Sequence, residues 1–68
     1  MNLTNNLKEI RLESDFNQSE FARLCGVSRQ TIHAIESSKY TPSVELALKI
    51  ANILSLNVED IFSLEESK

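Results

Sequence analysis

Between Gly26 and Glu36 the chain reads GVSRQTIHAIE, and its polar side chains are types that form paired hydrogen bonds. A glutamine amide donates and accepts at once, which suits the edge of adenine. An arginine fork suits guanine, and an alanine is small enough to admit a thymine methyl. Arg29, Gln30 and Ala34 bring these three groups together in one short segment. Ile32 and Ile35 give the same segment an apolar side at helical spacing. With residues advancing about 100° each around a helix, Gln30 and Ser37 point away from the isoleucines. His33 and Ala34 point outward beside them, while Arg29, Thr31 and Glu36 lie on the flanks. A solvated helix would more usually carry Lys and Glu on such a face.

Other chemistries find little support. There is one cysteine, Cys25, and one histidine, His33, so neither an internal disulfide nor a Cys/His metal knuckle can be built. Cys25 reads as a small apolar residue filling the turn before Gly26. No acid and base flank a nucleophile, and no phosphate-cradling glycine loop is present, so an enzyme is not expected. No cofactor or metal is expected either. Cysteine usage fits a reducing cytoplasm. No apolar run approaches the ~18 residues of a membrane span, and the polar N-terminus does not resemble a signal peptide.

Five helices account for the placement of these residues. The first runs from about Asn5 or Asn6 to Ser14, with Leu3, Leu7 and Ile10 on one side. The second follows Asn17 as its N-cap, with Glu20 three residues on as the reciprocal partner of a capping box. It stops at Gly26, a natural left-handed cap. Ser28 caps the third helix. Pro42 and Ser43 open the fourth, which turns Leu46, Ile50 and Leu54 inward, and Asn57 caps a last short helix from Val58 to Phe62. The tail FSLEE alternates as an edge strand does, and Met1 to Leu3 could pair with it. A turn of about three residues between the second and third helices forces a steep crossing, the geometry of a helix-turn-helix.

At 68 residues the chain is a single domain with a small core. The net charge of −3 argues against nucleic acid only if it is spread evenly. It is not. Glu59, Asp60, Glu65 and Glu66 crowd the last ten residues against Lys68 alone, whereas Arg23, Arg29 and Lys39 outweigh Glu36 to leave residues 23–43 at +2.

The stretch QSEFARLCGVSRQTIHAIESSKYTPS resembles the helix-turn-helix of Cro/C1-type (XRE-family) repressors through Gln18, Ala22, Gly26, Ile32, Ile35 and Glu36. The following TPSVELALKIANILSLNVEDIF is similar to that family's fourth and fifth helices. The likeness runs from about Asn6 to Phe62, and in length and tail it is nearest to small stand-alone regulators of the cytolysin-repressor type. It implies an all-α, five-helix, lambda-repressor-like domain over residues 1–68, to which the two termini could add a short antiparallel strand pair. The helix-turn-helix would span about residues 18–37.

By position, the resemblance gives Arg29, Gln30, His33 and Ala34 the reading of bases. It gives Gln18, Ser28, Thr31, Ser37, Lys39 and Tyr40 the holding of phosphates. It pairs Arg11 with Glu36 as a structural brace. Two departures stand out. Ser37-Ser38 replaces the family's frequent Asn-Gly, so a left-handed turn there is costlier and the loop is expected to differ. The acidic tail should weaken non-specific affinity for DNA unless it faces away from the duplex.

Leu54, Leu56, Val58, Ile61, Phe62 and Leu64 exceed what a small core needs. Some belong to the core, and the surplus marks a dimerisation segment over about residues 54–66. The expected function is a repressor that binds double-stranded DNA as a homodimer on a palindromic operator. The rival is an antitoxin or adaptor that binds a protein partner through its apolar C-terminal surface.

Overall fold

The computed structural model describes residues 1–66; Ser67 and Lys68, counted in the expected domain, lie outside the described residues. The order of elements is β1 (Asn2–Asn5), α1 (Leu7–Glu13), α2 (Gln18–Cys25), α3 (Arg29–Glu36), α4 (Val44–Leu54), α5 (Val58–Ile61) and β2 (Phe62–Glu65). Among the described residues the five expected helices form, and the two termini add the antiparallel strand pair, so the fold is helical with a two-stranded sheet rather than purely all-α. β1 and β2 pair antiparallel, with Leu3 opposite Leu64 and Asn5 opposite Phe62. The N-terminal strand is longer than Met1 to Leu3, and it takes Asn5 and Leu3 out of the first helix. Asn6 N–H donates to Ile61 O at 3.1 Å, which closes the sheet onto the end of α5.

The helix starts follow the capping residues. Asn17 Oδ1 accepts from Glu20 N–H at 2.8 Å, and Glu20 Oε1 accepts from Asn17 N–H at 3.1 Å, a complete capping box. Ser28 Oγ accepts from Thr31 N–H, and Ser43 Oγ accepts from Leu46 N–H. At α5 Asp60 Oδ2 accepts from Asn57 N–H at 2.9 Å. Each such bond satisfies a backbone group that the helix itself leaves unpaired.

The helix ends are less visible in the sequence, because only one of them has a glycine. Gly26 takes φ 74°, and Asp15, Ser38 and Ser55 take φ 63°, 60° and 57°. All four positions close the same motif. At α3, Lys39 N–H donates to Ala34 O at 2.8 Å and Ser38 N–H to Ile35 O at 3.0 Å. Equivalent pairs end α1, α2 and α4 at Phe16 and Asp15, Val27 and Gly26, and Leu56 and Ser55. The left-handed turn thus forms after α3 without glycine, at the steric cost of a Cβ in that conformation.

Leu7, Phe21, Ile32, Ile35 and Ile50 are fully buried and form the centre of the core, with Ala22, Cys25, Leu46 and Ala51 around them. Ile61 and Phe62 are also buried, at 2% and 7% exposure. Of the six apolar tail residues named for the core or a dimer surface, these two belong to the core. β1 draws β2 back over the helices, so Phe62, the first residue of β2, points inward with Ile61 beside it. The last helix accordingly ends at Ile61, one residue earlier than expected. Leu54 and Val58 remain half-buried at the core margin, and Leu56 and Leu64 are exposed. Cys25 lies in the turn region as a buried thiol. Burial pushes its pKa up, and Lys49 opposes that shift by its charge.

Candidate nucleic-acid interface

The outward side of α3 is set by the two isoleucines that anchor it. With Ile32 and Ile35 fully buried, Ser28, Arg29, Gln30, His33 and Ser37 are exposed. Ala34 and Thr31 are half-buried. Ala34 stands next to the closing turn, where its carbonyl takes the Lys39 N–H. It offers a shallow spot between Gln30 and Ser37 rather than a projecting group. Arg29 and Gln30 also open the helix, so their backbone N–H groups precede the intrahelical ladder and are free for an anion. The Ser28 and Thr31 hydroxyls lie 3.0 Å apart and bond each other at this end.

Glu36 does not share that outward face. Its side chain is 4% exposed and meets Arg11, whose side chain is 5% exposed. Arg11 Nε donates to Glu36 Oε2 at 2.6 Å and Nη2 to Oε1 at 3.3 Å, while Nη1 donates to Phe16 O at 2.8 Å. The guanidinium therefore ties α3 to α1 and to the loop that leads into α2. Its charge also cancels that of a carboxylate standing close to the α3 surface. Gln18 completes the cluster by donating from Nε2 to Glu36 Oε1 at 3.0 Å. One Nε2 proton is thus committed. The other remains for an outside acceptor, and the bond to Glu36 fixes where it points.

Gln18, Glu36, His33 and Ser37 line a hollow of about 130 Å³ together with Lys8. Lys8 is an exposed cation that the sequence reading left out. The available signal was spacing. Lys8 lies three residues before Arg11 on α1, so a helix that turns Arg11 toward Glu36 carries Lys8 to the same side. Ser37 Oγ donates to His33 O at 2.7 Å, which occupies its proton in the free protein. Beyond the turn Lys39 and Tyr40 are exposed. Tyr40 edges a second hollow, of about 280 Å³, with Thr31, Ser43 and Lys49.

The acidic end of the chain is arranged elsewhere. Glu59, Asp60 and Glu65 line a third hollow, of about 390 Å³, beside Thr4, Asn5 and Asn6, and no residue of α3 lines it. Among the described residues no group of three or more His, Cys, Asp and Glu side chains could hold a metal ion. No helix among them is long and apolar enough to cross a membrane.

Comparison with known proteins bears on the family and the fold. A family model described as helix-turn-helix matches residues 7–61. An HTH-type transcriptional regulator of Bacillus subtilis, YgzD, is 44% identical over 64 residues, covering 94% of this chain and 97% of that protein. One from Methanocaldococcus jannaschii is 46% identical over 66 residues, covering 97% and 100%. Among solved structures, a protein from Bacteroides fragilis superposes with a TM-score of 0.81 over 90% of this chain and 98% of its own. At 24% identity that likeness speaks for the fold alone. The restriction-modification controller protein C.AhdI of Aeromonas hydrophila superposes with a TM-score of 0.74 at 26% identity, over 79% of this chain and 78% of its own.

Proposed function

Because this chain belongs to the helix-turn-helix family of Cro/C1-type (XRE) transcriptional regulators, we propose that it is a repressor that binds a palindromic operator in double-stranded DNA as a homodimer. The observation that carries this reading is the division of α3. Ile32 and Ile35 are fully buried and Glu36 is held by Arg11, which leaves Arg29, Gln30 and His33 exposed with Ala34 as a shallow gap between them. Those three side chains and the gap read bases. Gln18, Ser28, Thr31, Ser37, Lys39 and Tyr40 hold phosphates, and Lys8 joins them from α1. The carboxylates around the terminal sheet line no hollow shared with α3, so they need not oppose the duplex.

One helix-turn-helix touches few base pairs, and two-fold pairing sets two recognition helices about one turn of DNA, ~34 Å, apart. Leu64 shares its side of the sheet with Leu3 and Phe62 yet is 65% exposed, so the apolar side of β2 runs past the edge of the core. With Leu54, Leu56 and Val58 it supplies the surface that a second copy covers. Repression then follows from occupying the operator.

The test is fluorescence anisotropy of a labelled operator duplex over a range of salt. Each lost lysine–phosphate contact lowers the log–log salt slope by about 0.9, so Lys39→Ala should flatten it by roughly 2 in a dimer. Affinity for every sequence should fall alike. A slope near zero for the wild-type protein contradicts DNA binding by this surface.

A further inference from the structure

The terminal sheet and α3 are joined through one side chain. Asn5 is the last residue of β1 and pairs with Phe62. Its Oδ1 accepts from Leu7 N–H at 3.1 Å, satisfying one of the free amides that open α1. Its Nδ2 donates to Ile35 O at 2.9 Å, in the last turn of α3. Ile35 is fully buried, and its carbonyl also takes the Ser38 N–H, so Asn5 grips α3 where the helix ends and the chain turns. Among the described residues this is the only hydrogen bond between the sheet and α3. The next residue, Asn6, bonds the end of α5 through its backbone. The start of α1 and the ends of β1, α3 and α5 therefore meet at Asn5 and Asn6.

We propose that Asn5 is a positioning residue that fixes the angle of the recognition helix against the terminal sheet, and so sets the half-site spacing a dimer accepts. The proposal rests on the homodimeric, DNA-binding reading above. Arg29 lies six residues before Ile35 on α3. At 1.5 Å per residue that is about 9 Å, so a 10° tilt about the Ile35 end moves the Arg29 end by roughly 1.5 Å. Two-fold symmetry doubles the change in separation to about 3 Å, close to the ~3.4 Å between successive base pairs. With the grip at Ile35 intact, a site spaced one base pair too wide or too narrow misplaces Arg29 and Gln30 in one half-site. Without it, the buried isoleucines and the Arg11–Glu36 pair still hold α3, but its last turn is no longer fixed to the sheet and the helix tilts more readily toward such a site.

Two substitutions separate this role from a contribution to stability. Asn5→Asp keeps an acceptor for Leu7 N–H and removes the donor to Ile35 O. Asn5→Ser also keeps an acceptor and is too short to reach Ile35 O. Each variant is compared with the wild-type protein for thermal unfolding, for dimerisation by sedimentation, and for affinity to operators with half-sites at the preferred spacing and one base pair either side. The wild-type protein should favour its own spacing by about tenfold or more, on the scale of one mismatched base pair. Both variants should remain folded dimers, and their preference should shrink to within about threefold. A lower melting temperature with an unchanged spacing preference makes Asn5 merely structural and overturns the proposal. So does loss of the fold in both variants. A wild-type protein indifferent to spacing, or monomeric on DNA, contradicts the dimer reading itself and is recognised without any variant.

Discussion

Arg11→Met is the sharpest perturbation of the scaffold beneath the candidate interface. Methionine keeps the length of the buried stem and removes the charge. Glu36, with a side chain 4% exposed, would then keep only the Gln18 amide as a partner, and Phe16 O would lose its donor. Removing one member of a buried pair costs about 3–5 kcal/mol, because a charge is left in a poorly solvated place. A domain of this size holds roughly 3–10 kcal/mol in total, so the loss takes a large share of the stability. At about 4–8 °C per kcal/mol the melting temperature should fall by at least ~12 °C. Combining Arg11→Met with Glu36→Leu removes both charges, and the double variant should be more stable than Arg11→Met alone, since an apolar pair of similar volume avoids the desolvation cost. Urea unfolding followed by far-UV circular dichroism at one fixed protein concentration measures both effects, the concentration being fixed because association shifts apparent stability. A loss below about 1 kcal/mol for Arg11→Met would refute the brace. So would costs that simply add in the double variant.

Four further outcomes follow from the same structure. Gly26→Ala should destabilise by about 1–2 kcal/mol through backbone conformation alone, since φ is 74° and nothing lies within 4 Å of an added Cβ. Ser38→Gly should raise the melting temperature by a few degrees by relieving the same penalty at φ 60°; both are read by thermal unfolding. Gln30→Ala should cost ~1–3 kcal/mol at one base step and relax specificity there, and binding to operators varied base by base checks this, with equal loss on all sequences counting against the assignment. The buried Cys25 thiol should react with a thiol reagent far more slowly than after denaturation. Its raised pKa stabilises the folded chain below the unfolded thiol's pKa of ~8.5, and that contribution is lost as pH rises beyond it, a dependence absent in Cys25→Ala.

Caps and helix faces with a distinctive residue or spacing were legible in the sequence. Asn17 with Glu20, Gly26, Ser28 and Ser43 each act within three residues of themselves, and the spacing of Ile32 and Ile35 was enough to orient α3. Roles that depend on a distant partner were legible only in part. The apolar surplus of the tail could not be divided, because Ile61 and Phe62 are buried only once β1 pairs with β2. The hydrogen bond from Gln18 to Glu36 and the grip of Asn5 on Ile35 join residues far apart in the chain through side chains with no distinctive pattern. The left-handed ends at Asp15, Ser38 and Ser55 lack the glycine that would announce them. Lys8 was missed as a lone lysine on an exposed helix, although its spacing from Arg11 carried the information.

Selection of binding sites from a pool of random duplex DNA separates a two-fold reader of sequence from every other reading of this surface. A homodimer reading DNA through α3 should enrich one palindrome whose half-sites are centred about 10–10.5 base pairs apart, with adenine or guanine contacts attributable to Gln30 and Arg29. Recovery of sequences with no common element, or of a lone half-site at every spacing, would contradict a homodimer that reads DNA through α3.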